Sequence, residues 1–193
     1  MIRFGRVNKP SGFENVERRG ATWLAEHPGA SRPYDLWSDF KGHLADGFMN
    51  LCGYSAMYEP VGTIDHFVSY DEAPARAYDW ENYRFCAAWF NSSKKKLRAS
   101  EVLDPFEVED DWFEVLLPSL ELVATAALPS AFATQAKTML KRLGNDERVM
   151  RQRRAWHKRY QLQQISLDVL AEFAPLIARA VEKQQGKAKL DHS

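Results

Sequence analysis

Two short strings rich in β-branched and aromatic residues, VGTIDHF (61–67) and NYRFCAAWF (82–90), interrupt a chain whose other patterned segments are mostly spaced as helices. Between them lies the polar, Pro-containing loop Ser69–Trp80, and from Asn91 the string NSSKKKLRAS suits a short polar helix. The order is strand, loop, strand, helix. It makes the expected fold class α+β, with this unit at the centre of the chain.

The flanks follow different rules. Residues 1–33 carry turn signals at Lys9-Pro10-Ser11-Gly12 and His27-Pro28-Gly29, which predicts an extended arm around one short helix near Ala21–Glu26. Leu36, Phe40, Leu44 and Phe48 recur every four residues and predict a helix from Tyr34 to Phe48. Residues 101–111 read as an acidic loop. The string WFEVLLPSLELVAT (112–125) suits two strands joined at Pro118-Ser119 or a helix broken at Pro118; its β-branched and aromatic content favours strands, although Pro fits two-residue hairpins poorly. Helices follow over Ala131–Leu143, closed by Gly144, over 146–163, and from Ser166 as N-cap, with Pro175 kinking or restarting the last. The Lys- and Gln-rich tail beyond Glu182 is expected to fray. The organisation is thus an N-terminal arm and helix (1–50), the central unit (51–100) and an acidic loop, short strands and C-terminal helices (101–193), in one compact domain.

Six Trp and eleven Phe among 193 residues exclude a disordered chain, and that length is enough to bury a substantial core. Cys52 and Cys86 are too few for a disulfide framework or a four-cysteine zinc site. The N-terminus has no apolar signal region and no stretch is long and apolar enough to span a bilayer, so the expected setting is cytoplasmic, without a membrane partner. The formal net charge is zero, which does not announce a nucleic-acid binder. It hides a segregation, because residues 97–136 carry net −7 and residues 137–193 carry net +7.

Asp65-His66, Asn82, Asn91 and Lys94 are the residues with chemistry in them. A His at the end of a strand can take a proton from water, its pKa lying near working pH. A carboxylate beside it and an amide oxygen from the following helix are hard oxygen ligands for a divalent metal, which neutralises a phosphate and stabilises a leaving oxygen.

The string GTIDHF, its spacing to ENYRF and the ending FNSSK resemble the HNH endonucleases and their ββα-metal motif. RPYDLWSDFKGHLADGF, AYDWENYRF and VLDPF extend the resemblance over about 31–106, toward bacterial HNH proteins of retron-type and related anti-phage systems. That resemblance implies a ββα-metal core and a metal-dependent endonuclease acting on nucleic acid, DNA first, in bacterial defence or mobile-element biology. His66 would be the general base, Asn82 would brace the loop between the strands, and Asp65 and Asn91 would hold one Mg2+ or Mn2+. Lys94 and Lys95 would meet backbone phosphate, and a regulatory protein such as an ATPase would be a partner.

The family's paired Cys-x-x-Cys knuckles are degenerate here. The first reads Cys52-Gly53-Tyr54-Ser55 and the second has Ala87 and Phe90. No structural zinc is expected, with Tyr54, Ala87, Trp89 and Phe90 packing in its place. Arg151, Arg154 and Lys158 share one face of the basic helix and are a second candidate phosphate surface. The acidic run from Asp104 to Glu114 would cap the basic helices, face a partner or hold a loop in water. His27, His43, His157 and His192 have no partner pattern and read as structural or solvated. The competing functions are a catalytically inactive HNH-fold module that binds nucleic acid or a partner, and a hydrolase of another class.

Overall fold

The computed structural model describes residues 1–94 and 97–190 and has an α+β fold with two small antiparallel sheets. In chain order its elements are α1 (Phe13–Glu26), α2 (Lys41–Gly47), β1 (Thr63–His66), β2 (Tyr83–Cys86), α3 (Ala88–Lys94), β3 (Phe113–Val115) and β4 (Leu122–Ala124). Then come α4 (Ala133–Met139), which widens into a π turn over Leu140–Gly144, α5 (Glu147–Gln161), α6 (Leu167–Phe173) and α7 (Pro175–Leu190). No helix among the described residues is long and apolar enough to cross a membrane.

β1 and β2 form the first sheet in the register Thr63↔Cys86, Ile64↔Phe85, Asp65↔Arg84 and His66↔Tyr83. The second expected strand is shorter than its apolar string. It stops at Cys86, and Ala88–Phe90 already belong to α3, which carries Phe90 onto Tyr54 with ring centroids 4.3 Å apart and planes 3° from parallel. That stack, with buried Ala87, is the apolar packing expected at the degenerate knuckles; Trp89 is half-buried and meets Phe90 edge-on.

A second buried contact ties the unit to the segment after α3. Arg84 makes a two-pronged ion pair with Asp104, Nε to Oδ1 at 2.7 Å and Nη2 to Oδ2 at 2.5 Å. Its guanidinium lies 3.9 Å from the Phe106 ring centroid, and Nη1 donates to the carbonyls of Glu81 and Tyr83. Every direction around the charge is therefore answered, as a buried guanidinium requires.

The flanks depart from the sequence reading in four places. The first helix runs from Phe13, far ahead of Ala21, with Phe13, Val16 and Gly20 as its buried stripe. Gly20 is there for space: a Cβ would meet the Tyr78 ring at 2.2 Å. The second helix begins late, because the Asp35 carboxylate accepts from the backbone N–H groups of Trp37 (3.2 Å) and Ser38 (3.0 Å), keeping 34–37 out of the helix ahead of a 3-10 turn at Ser38–Phe40. The 131–143 helix begins as a 3-10 turn at Ser130–Phe132 and ends in the π turn. Where the tail beyond Glu182 was expected to fray, α7 continues to Leu190, tied by Lys183 to Glu114 and by Gln185 Nε2 to Tyr160 Oη at 2.9 Å.

The ambiguous 112–125 segment is a hairpin, with Glu114 opposite Val123. Buried Arg153 of α5 pins it by donating to the Leu120 carbonyl (3.0 Å) and Asn145 Oδ1 (3.2 Å). α6 begins with the Ser166 hydroxyl accepting from Val169 N–H, and Pro175 starts α7 as a separate helix. The core is continuous: Phe4 of the arm stacks on Phe48, and Phe48 meets Phe85 of β2 and Phe106.

The acidic run is neutralised by both ends of the chain. Arg3 binds Glu109, Arg6 reaches Glu107, Arg179 of α7 pairs with Asp110, and Lys183 pairs with Glu114.

Two glycines separate space from flexibility. Gly20→Ala should lower stability by about 1–3 kcal/mol through overpacking. Gly42→Ala, in α2 with nothing within 4 Å of its Cβ position, should gain about 0.4–1 kcal/mol. Urea unfolding of the two variants checks both signs.

Candidate active site

β1 ends at a cleft of about 190 Å³ bordered by Asp65, His66, Asn91 and Lys94, and on its outer side by Arg32 and Asp71. Neighbours in a strand leave it on opposite faces. Asp65 leaves toward α3 and Tyr54, while His66 packs edge-on against Trp37 (4.7 Å) and Tyr83 (5.1 Å), and both still border the cleft at the strand end.

His66 Nε2 lies 2.8 Å from the Ala77 carbonyl, which also accepts from Tyr83 Oη at 2.8 Å. A carbonyl only accepts, so Nε2 carries the proton and the neutral ring has its lone pair on Nδ1. Burial lowers the His66 pKa from its ordinary 6.5, and nearby Lys94 adds to that, against the raising effects of the Ala77 bond and Asp65. The neutral, proton-accepting form is the favoured one at neutral pH.

Asn82 holds the loop that follows β1. Its Oδ1 accepts from Val68 N–H at 2.8 Å, and its Nδ2 donates to the carbonyls of Val68 and Arg76, each at 3.0 Å. All three bonds go to backbone of the 67–82 connection, and the amide is fully buried. This is the bracing role the sequence suggested.

Asp65 is 2% exposed, and its Oδ2 accepts from Tyr54 Oη (2.5 Å) and Lys94 Nζ (2.7 Å). Burial and the adjacent Asp65 carboxylate push the Tyr54 phenol well above its ordinary range, keeping it a donor. Lys94 is 3% exposed and places its other two protons on the carbonyls of His66 and Phe67, both at 2.9 Å. The expected phosphate contact of Lys94 is therefore corrected: all three donors are used inside, holding the end of β1 to α3. Lys95, and Lys96 beside it, lie outside the described residues.

Asn91 Nδ2 donates to the Ile64 carbonyl at 3.1 Å, which turns its Oδ1 away from β1. Neither that oxygen nor Asp65 Oδ1 has a hydrogen-bond partner among the described residues, and both residues border the cleft. Two hard oxygens of this kind fit a small divalent cation that keeps most of its shell as water and substrate oxygen. They are not a closed protein cage, and no group of three or more His, Cys, Asp or Glu among the described residues is placed to hold a metal.

The basic helix does not reach this cleft. Arg151, Arg154 and Lys158 are exposed and do not border it, and Arg154 is paired with Glu147. α5 approaches the unit through Arg148, which lies over the Trp89 ring (4.4 Å) and beside Ser93. Trp89 and Ser93 stand one turn apart on the side of α3 opposite Asn91 and Lys94, so the basic block sits behind the site. Cys52 and Cys86 are buried free thiols, and burial raises the Cys86 pKa, which leaves it unreactive.

Tyr54, Trp37 and Arg32 belong to the site and were not singled out for it by the sequence. Tyr54 stands two residues after Cys52 and Arg32 in a turn-rich arm, where neither has a spacing signal. The chain matches no protein-family model, and no curated protein matches it.

Removing one member of a buried ion pair strands the other charge. Lys94→Met should cost about 3–5 kcal/mol, and Asp65→Asn in the same chain should return much of that loss. Denaturant unfolding of the single and double variants measures it; additive losses would show the pair to be uncoupled.

Proposed function

We propose that the protein is a metal-dependent endonuclease of HNH type that hydrolyses phosphodiester bonds in nucleic acid, DNA first. The observation that carries this reading is the convergence of Asp65, Asn91 and a tautomerically fixed His66 on one cleft at the junction of β1, β2 and α3. His66 Nδ1 accepts the proton of the attacking water, while the Ala77 carbonyl holds the ring by its other nitrogen. Trp37 and Tyr83 fix the plane of that ring. Asp65 and Asn91 would hold Mg2+ or Mn2+ by their free oxygens, and the ion supplies charge neutralisation at the phosphate and the leaving oxygen. Arg32, at the mouth of the cleft, is placed to meet a phosphate of the substrate.

Lys94 has a consequence for this chemistry. Its ammonium already balances the Asp65 charge, so the cleft attracts a divalent cation weakly until the phosphate adds its own negative charge. The same pairing favours the second reading, a scaffold that binds nucleic acid without cutting it, and the two part on a single measurement. Supercoiled plasmid incubated with Mg2+ or Mn2+ should be nicked or linearised by the wild type, and His66→Ala should be slower by about 10²–10⁴-fold. Absence of cleavage with either metal on single- and double-stranded substrates, or equal cleavage by the variant, refutes the nuclease.

The pH dependence has a defined sign. Because His66 has a pKa below 6.5 in the folded protein, the rate should rise through an acidic limb centred below that value and be flat around neutrality. The same shift stabilises the fold fully above 6.5, and that contribution is lost as pH falls below it, since the unfolded chain takes the proton first. Rate–pH and unfolding–pH profiles of wild type and His66→Ala check both limbs.

A further inference from the structure

A second recess lies next to the cleft, and the chain segment 31–37 is the wall between them. Ser31 and Arg32 border the cleft, Tyr34 and Leu36 border the recess, and Trp37 returns to pack on His66. Arg32 and Tyr34 are separated only by Pro33, so their Cα atoms are no more than about 7 Å apart. Pro33 fixes its own φ and keeps Arg32 extended, which makes the wall stiff. Tyr78 Oη adds a hydrogen bond to the Tyr34 carbonyl at 2.9 Å, so the backbone is held while the Tyr34 ring stays 59% exposed.

The opposite wall is α1, which presents Arg18, Arg19, Trp23 and Glu26 to the recess. The recess has room of about 390 Å³. Its charges are ordered along the helix: Arg18 and Arg19 at one end and Glu26 at the other, with about 10 Å of helix between Arg19 and Glu26. Trp23, one face covered by His27 at 4.7 Å, lies between those ends, and Tyr34 borders the recess from the 31–37 wall. Cations, then aromatic faces, then a carboxylate is an arrangement that suits one nucleotide, with its phosphate at the arginines, its base on the rings and no anion at Glu26.

We propose that this recess is a binding subsite for an unpaired nucleotide flanking the bond placed at His66, so that the substrate is single-stranded, or locally unpaired, where it crosses Arg32. The proposal rests on the nuclease reading for the identity of the neighbouring cleft. Aromatic faces set in a recess meet a base only when it is out of its stack, which is why a fully paired duplex is not the occupant. Arg19 and Tyr34 are exposed side chains, and neither makes a side-chain hydrogen bond among the described residues, so both are free to take a ligand.

The test is binding of a fluorescein-labelled mixed-sequence single strand and of the same sequence as a duplex, by anisotropy in EDTA, where no cleavage occurs. The wild type should prefer the single strand. Tyr34→Ala should raise its Kd about tenfold, and Arg19→Ala should make the plot of log K against log salt shallower by about 0.7. Thermal melts of Tyr34→Ala and Arg19→Ala at the wild-type midpoint exclude unfolding as the cause. Wild-type binding of the strand by both variants, or equal affinity of the wild type for duplex and single strand, overturns the subsite. Failure to cleave both single- and double-stranded substrates overturns the nuclease instead, and the anisotropy result then still decides whether the recess holds a nucleotide.

Discussion

A single buried ammonium sets the geometry on which the site depends. Lys94 reaches back from the end of α3 to a carboxylate and two carbonyls at the end of β1, and no flexible connection can do that work. Without it, α3 would meet the strand only through apolar packing and the Asn91 amide, and Asp65 would be an uncompensated charge in a dry place. Three oxygens around one ammonium also fix where the chain turns after His66. The imidazole is then held from three sides by Ala77, Trp37 and Tyr83.

The outer layers repeat this logic at lower energy. Arg84, opposite Asp65 in the register, and Asp104 lock β2 to the segment that follows α3, with Phe106 as a lid on the guanidinium. Arg153 fixes the second hairpin to α5, and burial lowers its pKa to about 10, so it remains charged at any ordinary pH. Polar residues thus define where elements meet, while the aromatic residues between Phe4 and Phe106 fill the volume.

Much of the central unit was legible because it is local. The strand at Thr63–His66 follows from residue type and short spacing, and the bracing of the loop by Asn82 was implied by the resemblance. What was illegible depends on distant chain. The start of α1 at Phe13 has no mark in the sequence, and the need for Gly20 within it shows only when Tyr78, far along the sequence, takes the space of its missing Cβ. Lys94 stands in a run of three lysines and was expected to meet phosphate; only the fold brings Asp65 and two carbonyls around it. Arg32 has no periodicity to mark it, because an extended wall has none. The basic helix, conversely, had a clear pattern, and packing placed it behind α3.

The acidic run from Asp104 to Glu114 is engaged within the molecule, because arginines of the arm and cations of α7 converge on it. The two ends of the polypeptide are joined through a common intermediary that belongs to neither. These contacts are exposed and subject to ionic screening, whereas the pairs at Asp65 and Asp104 are not. Ionic strength therefore acts unevenly on the molecule: raising it slackens the seam that joins head to tail while the centre keeps its shape.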